Sequence, residues 1–370
     1  MPDGSGGSRD EEVAAKVSTI RAACAAHGLA AVRLRGVDWF SWVTAGGSSV
    51  VLLTDEVGVA EVLVTEAGAW VLTNEIEAAR LAAEEVPTGL SLWAARWDDP
   101  SSAEAFVVEQ AGGRPVASDR PQEGEAALPP VLLGARWSLA LEEVARYRTL
   151  GHDAAEVVTD VLAGAEPGWS GHQLAGAAAR GLWERGIHPA LTLVGDEQRV
   201  SQHRHPTATA DPIGRLAMLV VCGRRAGLYA NLTRFVAFRP LSAQERASHV
   251  APVSVEAAAL RASVPGADLG SVHAAVVRAY AETGNPGAER DHHQGGPCGY
   301  LSRDALALPG GPEVIVERNA LAWNPSLPGA KVEDTVVTST AAGIEVLTGD
   351  PRWPTAPGPL LPRPAVLDRS

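Results

Sequence analysis

Lysine is almost missing from this chain of 370 residues; Lys16 and Lys331 are the only two. Arginine carries the rest of the positive charge, and acidic residues still outnumber basic ones, for a formal net charge of −13. A nucleic-acid partner needs a basic field, so this balance excludes one. Cysteine is scarce as well. Cys24, Cys222 and Cys298 show no paired spacing, which excludes a disulfide framework and fits reduced thiols in a cytosol. No apolar run reaches the ~18 residues that a membrane span needs. The first residues are rich in Gly, Ser and Asp and lack an apolar signal segment, so residues 1–10 are predicted to be a disordered tail. The abundance of Ala and Arg reads as a coding bias, which makes a lysine inside a motif more noticeable.

What is present is 46% hydrophobic content over a length that favours two domains. Val13, Val17, Ile20 and Cys24 recur at helical spacing, and Gly28 supplies a stop. β-rich runs follow at Ala31–Leu34, Val50–Leu53, Glu61–Thr65 and Trp70–Leu72, then a helix at Glu75–Glu85. The alternation predicts a small α/β domain over 11–128, closed by the linker Ala127-Leu128-Pro129-Pro130. A second domain is predicted over 136–355. It opens with a long helix from Ser138 to Ala163, which Pro167-Gly168 breaks. Ser170 is placed to cap the next helix, Ser242 with Glu245 forms a capping box, and Asp268 can cap a third helix. Arg215–Cys222 and Leu228–Phe238 read as paired strands, and Val314–Trp323 and Val332–Ser339 as late ones. Helix pairs alternating with antiparallel strands give an α+β layer architecture. Residues 356–370 read as a Pro-rich tail.

Four blocks in the second domain carry chemistry-bearing residues. They are Arg204-His205-Pro206; Val221-Cys222-Gly223 followed by Asn231-Leu232-Thr233-Arg234; His292-His293-Gln294-Gly295-Gly296; and Asn324-Pro325 followed by Lys331-Val332-Glu333-Asp334-Thr335. Their order resembles the creatinase, prolidase and methionine aminopeptidase family. That resemblance implies a creatinase-type N-terminal α/β domain and a C-terminal pita-bread domain. Most members hold two metal ions with two Asp, one His and two Glu. Here the first metal Asp falls on Val221 or Cys222, the second on Asn231, the metal His on His293, and the first Glu on Asn324. Tyr300 sits where a second pocket His is common, and only Glu333 keeps its carboxylate.

Two divalent ions bring four positive charges that hard oxygen ligands must balance. One carboxylate cannot do so, and the sequence predicts a metal-free, cofactor-free pocket. Asn231, Asn324, Tyr300 and Arg303 suit a pocket rebuilt for hydrogen bonding. The resemblance assigns His205 to proton transfer and His293, Glu333 and Tyr300 to the catalytic set. Asn231, Asn324, Arg303, Lys331 and Arg234 are the expected substrate-binding residues. Lys331 and Glu333, two apart in a strand, are predicted to share one face. Gly295 and Gly296 are predicted to permit close backbone approach and not to bind phosphate. The expected activity is metal-independent acid/base chemistry on a small polar metabolite in a cytoplasmic homodimer. An inactive binding module and a metallopeptidase with altered ligands are the alternatives.

Overall fold

The computed structural model describes residues 9–370, and the chain divides into two compact units, up to Glu143 and from Val144. The predicted N-terminal tail lies almost wholly outside the described residues. The first unit runs α1 (Arg9–His27), β1 (Ala31–Gly36), α2 (Val37–Val43), β2 (Val57–Thr65), β3 (Ala69–Asn74), α3 (Glu75–Glu84), β4 (Ser91–Ala95), α4 (Pro100–Ala111), β5 (Val116–Ser118), β6 (Ala126–Ala127) and α5 (Pro130–Trp137). Its sheet has the order β4-β3-β2-β1-β5-β6 and mixes parallel with antiparallel neighbours. Leu63, Leu72 and Val107 pack under Trp70, Trp93 and Phe106 to form its core. Burial of each such side chain is worth about 1.5–3 kcal/mol. Lys16 is buried here, with its ammonium 2.6 Å from Glu12 and 2.7 Å from Glu143.

Val50–Leu53 is not a strand. It forms an exposed turn, with Asp55 N–H donating to Leu52 O. A short apolar run without alternation carries no periodicity to distinguish strand from loop, and this one follows Gly46-Gly47-Ser48-Ser49.

The second unit contains α6 (Leu141–Gly164, begun in the first), α7 (Gly171–Glu184), β7 (His188–Asp196), α8 (Glu197–Gln202), β8 (Leu216–Arg225), β9 (Leu228–Ala237), α9 (Ala243–Ser248), α10 (Val250–Ala262) and α11 (Leu269–Glu282). It continues with β10 (Gly295–Pro297), β11 (Asn319–Trp323), β12 (Ser326–Leu327), β13 (Ala330–Lys331), β14 (Asp334–Ser339), β15 (Gly343–Val346), β16 (Thr355–Ala356), β17 (Arg363–Pro364) and β18 (Leu367–Asp368). The caps stand where the sequence put them. Ser170 and Ser242 each close a capping box, and Asp268 accepts from Ser271 N–H.

Two four-stranded sheets organise this unit, β18-β9-β8-β7 and β10-β11-β14-β15. A single bridge joins them, with Thr233 N–H donating to Glu333 O at 3.1 Å. Behind the second sheet, Leu269, Val272, Val276 and Tyr280 of α11 meet Leu321, Trp323 and Val336. The late strand is shorter than Val314–Trp323, beginning only at Asn319. The Pro-rich end is extended but not a loose tail. β18 pairs in parallel with β9, and Arg363 is buried against Glu256 and Asp334. Among the described residues no helix is long and apolar enough to cross a membrane.

Candidate functional site

Strand alternation decides which side chains meet. In β8 and β9, Cys222 lies opposite Asn231 and Val220 opposite Thr233, so these side chains share a face. Val221 lies opposite Leu232 on the other face. Of Val221 and Cys222, it is Cys222 that shares the face of Asn231. The second sheet repeats the rule. Trp323 and Leu321 point into the helix-backed core, which leaves Ala322 on the opposite face. Glu333, which bridges to Thr233, reaches the shared face, while Asp334 turns away.

Glu333 is 2% exposed and has both oxygens engaged. Lys331 Nζ lies 2.8 Å from Oε2, Arg303 Nη2 donates to Oε1 at 2.7 Å, and Thr233 Oγ1 donates to Oε2 at 2.8 Å. Burial alone would raise the Glu333 pKa, but Lys331 and Arg303 outweigh it and hold the carboxylate down to about 2. The predicted sharing of a face by Lys331 and Glu333 is thus observed.

Three imidazoles converge beside this group. His205, in the loop after α8, and His292 and His293, before β10, bring ligand-type atoms within 4.8 Å of one another. His205 Nε2 lies 2.8 Å from His292 Nε2, and the His292 and His293 rings stack at 4.3 Å. Arg204 Nη2, 3.2 Å from Asp291 Oδ2, ties the two segments together. Burial lowers all three pKa values, His292 to about 3 and His293 to about 4, with the positive charges of Lys331 or Arg303 adding to the effect. His205 is the exposed member.

Gly295 makes the turn after the histidines possible. Its φ is +101°, and a Cβ there would lie 2.1 Å from Ala322 O. This is the close backbone approach expected of it.

Asn231 is fully buried, yet neither Oδ1 nor Nδ2 has a protein partner. Asn324, 2% exposed, leaves Oδ1 unpartnered. Arg234 is committed elsewhere. Its guanidinium donates to Asp334 Oδ1 and Thr348 O, both at 2.8 Å, and to Thr233 O at 2.9 Å. Arg363 completes that buried network, so Arg234 sits among structural partners. Tyr300 is buried in the turn after β10. Cys222 and Cys298 are buried thiols pushed up to about 12 and about 11, chiefly by burial. Such thiols are poor nucleophiles at neutral pH. His292 was read from sequence as lining or supporting the pocket but not as the direct partner of His205, and Thr233 was not singled out as the third partner of Glu333. The i, i+2 spacing of Asn231 and Thr233 was the available signal for the second.

The donors that the resemblance expects at metal positions are Cys222, Asn231, His293, Asn324 and Glu333. They do not fit a pair of hard divalent ions, because the single carboxylate has both oxygens committed and two cations beside it. The three imidazoles are a donor set of a different kind, suited to one borderline ion such as Zn2+. Such an ion would add two positive charges close to Lys331 and Arg303.

No protein-family model matches the chain, and no curated protein matches it. Solved structures do. The chain is similar to the dipeptidase PepE from Mycobacterium ulcerans at 19% identity and a TM-score of 0.76, over 98% of this chain and 100% of that one. It is similar to the prolidase from Pyrococcus horikoshii at 17% identity and a TM-score of 0.74, over 91% and 99%. The N-terminal domain of the FACT complex subunit SPT16 from Cicer arietinum (chickpea) aligns at 11% identity and a TM-score of 0.64, over 92% and 96%. At these identities the likeness shows the fold alone, and that fold is the two-domain architecture of the pita-bread peptidases.

Proposed function

We propose that the protein is a metal-independent acid/base enzyme acting on a small polar metabolite, by C–N hydrolysis, elimination or cyclisation. One observation carries the reading. His205 and His292 meet at 2.8 Å beside a carboxylate already saturated by Lys331, Arg303 and Thr233. His292, with its pKa held lowest, is the acceptor of the pair. His205 is the exposed member and exchanges the substrate proton, and His292 steadies the imidazolium that forms. His293 stacks on His292 and fixes its ring. Asn231 and Asn324 hold their unpartnered amide atoms ready for the substrate. Tyr300 lends a buried phenol to the wall, and Glu333 fixes the two cations. The three free cysteines support a reducing cytosol, and a homodimer is the assembly we assign.

The test incubates the EDTA-treated protein with a small-molecule lysate fraction and follows the mixture by mass spectrometry. Consumption of a metabolite that survives EDTA and falls about 10²–10⁴-fold in His205→Gln supports the reading. Consumption that requires added metal, or that His205→Gln leaves unchanged, rejects it.

A second reading is a binding module without turnover. The fold's occurrence in the FACT complex subunit supports it, since that neighbour is named as part of a complex and not as a peptidase. It predicts ligand retention without any consumption, in the parent and in His205→Gln alike.

A further inference from the structure

The site carries cations of its own around Glu333, and these bear on what its substrate carries. Lys331 and Arg303 face one carboxylate, Glu333, so the group bears two positive charges against one negative. The same three residues are the ionic groups acting on His205 and, with His205 itself, on His293. Neither cation is exhausted by Glu333. An ammonium has three N–H groups, and the Glu333 contact accounts for one. Arg303 spends Nη1 on Ser302 O and Nη2 on Glu333, while its buried Nε has no partner.

An independent observation points to a ligand at the same place. Asn231 is fully buried with both polar atoms of its side chain unpartnered. Its side chain lies on the face of Thr233, whose hydroxyl touches Glu333. Buried amides left without partners are costly unless something fills them. Asn324 Oδ1 adds a further unfilled acceptor. The composition sharpens the point, because the chain's only two lysines are both buried in ion pairs, and only one of them stands at this site.

From this we infer that Lys331 and Arg303 form an anion seat at the reaction centre, and that the substrate is a small carboxylate bound there with a polar group between Asn231 and Asn324. A planar carboxylate suits the guanidinium and ammonium together. A cationic substrate would meet a net positive wall. The inference rests on the acid/base reading only for the word substrate; the seat itself is a binding claim.

Two lysines make the test direct. Protein labelled with 13C,15N-lysine gives two side-chain ammonium signals by NMR, and Lys331→Met identifies which is which. Acetate, succinate and N-acetylglycine are titrated in, with acetamide and ethylamine as neutral and cationic counterparts. The expected result is a saturable shift of the Lys331 signal with at least one carboxylate and no shift of the Lys16 signal. Arg303→Gln should weaken that binding about 10- to 100-fold, and Arg303→Lys should restore part of it. If none of the carboxylates moves the Lys331 signal, or if acetamide or ethylamine moves it equally, the anion seat is rejected. Carboxylate binding without any turnover would leave the seat standing and remove the enzyme reading. EDTA-resistant turnover of a cationic metabolite would do the reverse.

Discussion

Replacing Glu333 by Gln should destabilise the second unit by about 3 kcal/mol at neutral pH. The shape of the side chain is kept, but its charge is lost, and Lys331 and Arg303 are left buried without their counter-ion. The size follows from the pKa, since a fall from the ordinary value of 4.5 to about 2 corresponds to about 3 kcal/mol of preference for the ionised form in the folded state. Breaking a buried ion pair from one side costs about 3–5 kcal/mol, which agrees. The sign with pH follows. Because the folded pKa is depressed, the stabilisation is fully present above the unfolded value of 4.5 and is lost as pH falls toward 2. The deficit of the variant should therefore shrink through that window. A chain of two units need not unfold in one step, so a global melt is the wrong assay. Hydrogen exchange of peptides covering 319–339, read in parent and variant at several pH values, follows β11 and β14 directly. In Lys331→Met/Glu333→Gln the two losses should not add, since both remove the same Lys331–Glu333 ion pair. A Glu333→Gln deficit below about 1 kcal/mol, or one that does not change with pH, would show that Glu333 is not a clamped carboxylate.

Gly295→Ala should disrupt the β10–β11 pairing, because its Cβ would lie 2.1 Å from Ala322 O at a φ of +101°; strain alone costs about 1–3 kcal/mol, and hydrogen exchange of peptides covering 295–297 and 319–323 unchanged from the parent would contradict this. Acid should unfold the second unit through its histidines as well. His292 and His293 hold folded pKa values of about 3 and about 4 against 6.5, so the unfolded state binds more protons and stability falls as pH drops from 6.5 toward 4. The slope approaches about 1.4 kcal/mol per pH unit for each, and His292→Gln should remove one share from the pH dependence of hydrogen exchange in second-unit peptides. Calorimetric titration with Mn2+ should show no two-ion binding in the parent. The triple change Cys222→Asp, Asn231→Asp and Asn324→Glu should gain Mn2+ affinity chiefly when Lys331→Met accompanies it, and equal gain with Lys331 intact would refute the opposition of charge drawn above.

How much of this was legible beforehand depended on the kind of order each feature rests on. Helix ends were readable because they are local. Ser170, Ser242 and Asp268 sit at caps that need only their own next turn. Lys331 and Glu333 were readable as neighbours because strand alternation is also local. The choice between Val221 and Cys222 was not, since it depends on register across β8 and β9, which a single strand does not contain. The surroundings of Arg234 were hidden for the same reason. One residue along from Thr233, it faces the opposite side of the sheet, where Asp334 and Thr348 take it up. The pairing of His205 with His292 joins segments 87 residues apart, and no periodicity announces that.

The neutral amides of Asn231 and Asn324 and the cations around Glu333 belong to one charge balance. Carboxylates in place of those amides would repel Glu333 or take up protons, whereas the amides supply polar atoms without charge. Glu333 alone would be a lone buried anion, and burial penalises its charged form. Lys331 and Arg303, at 2.8 and 2.7 Å, reverse that penalty and leave one positive charge over. The three histidines follow from the same balance. Their depressed pKa values keep them neutral near that surplus, and neutral imidazoles can accept a proton where charged ones cannot. The centre thus holds two cations of its own around one carboxylate, with neutral bases beside them.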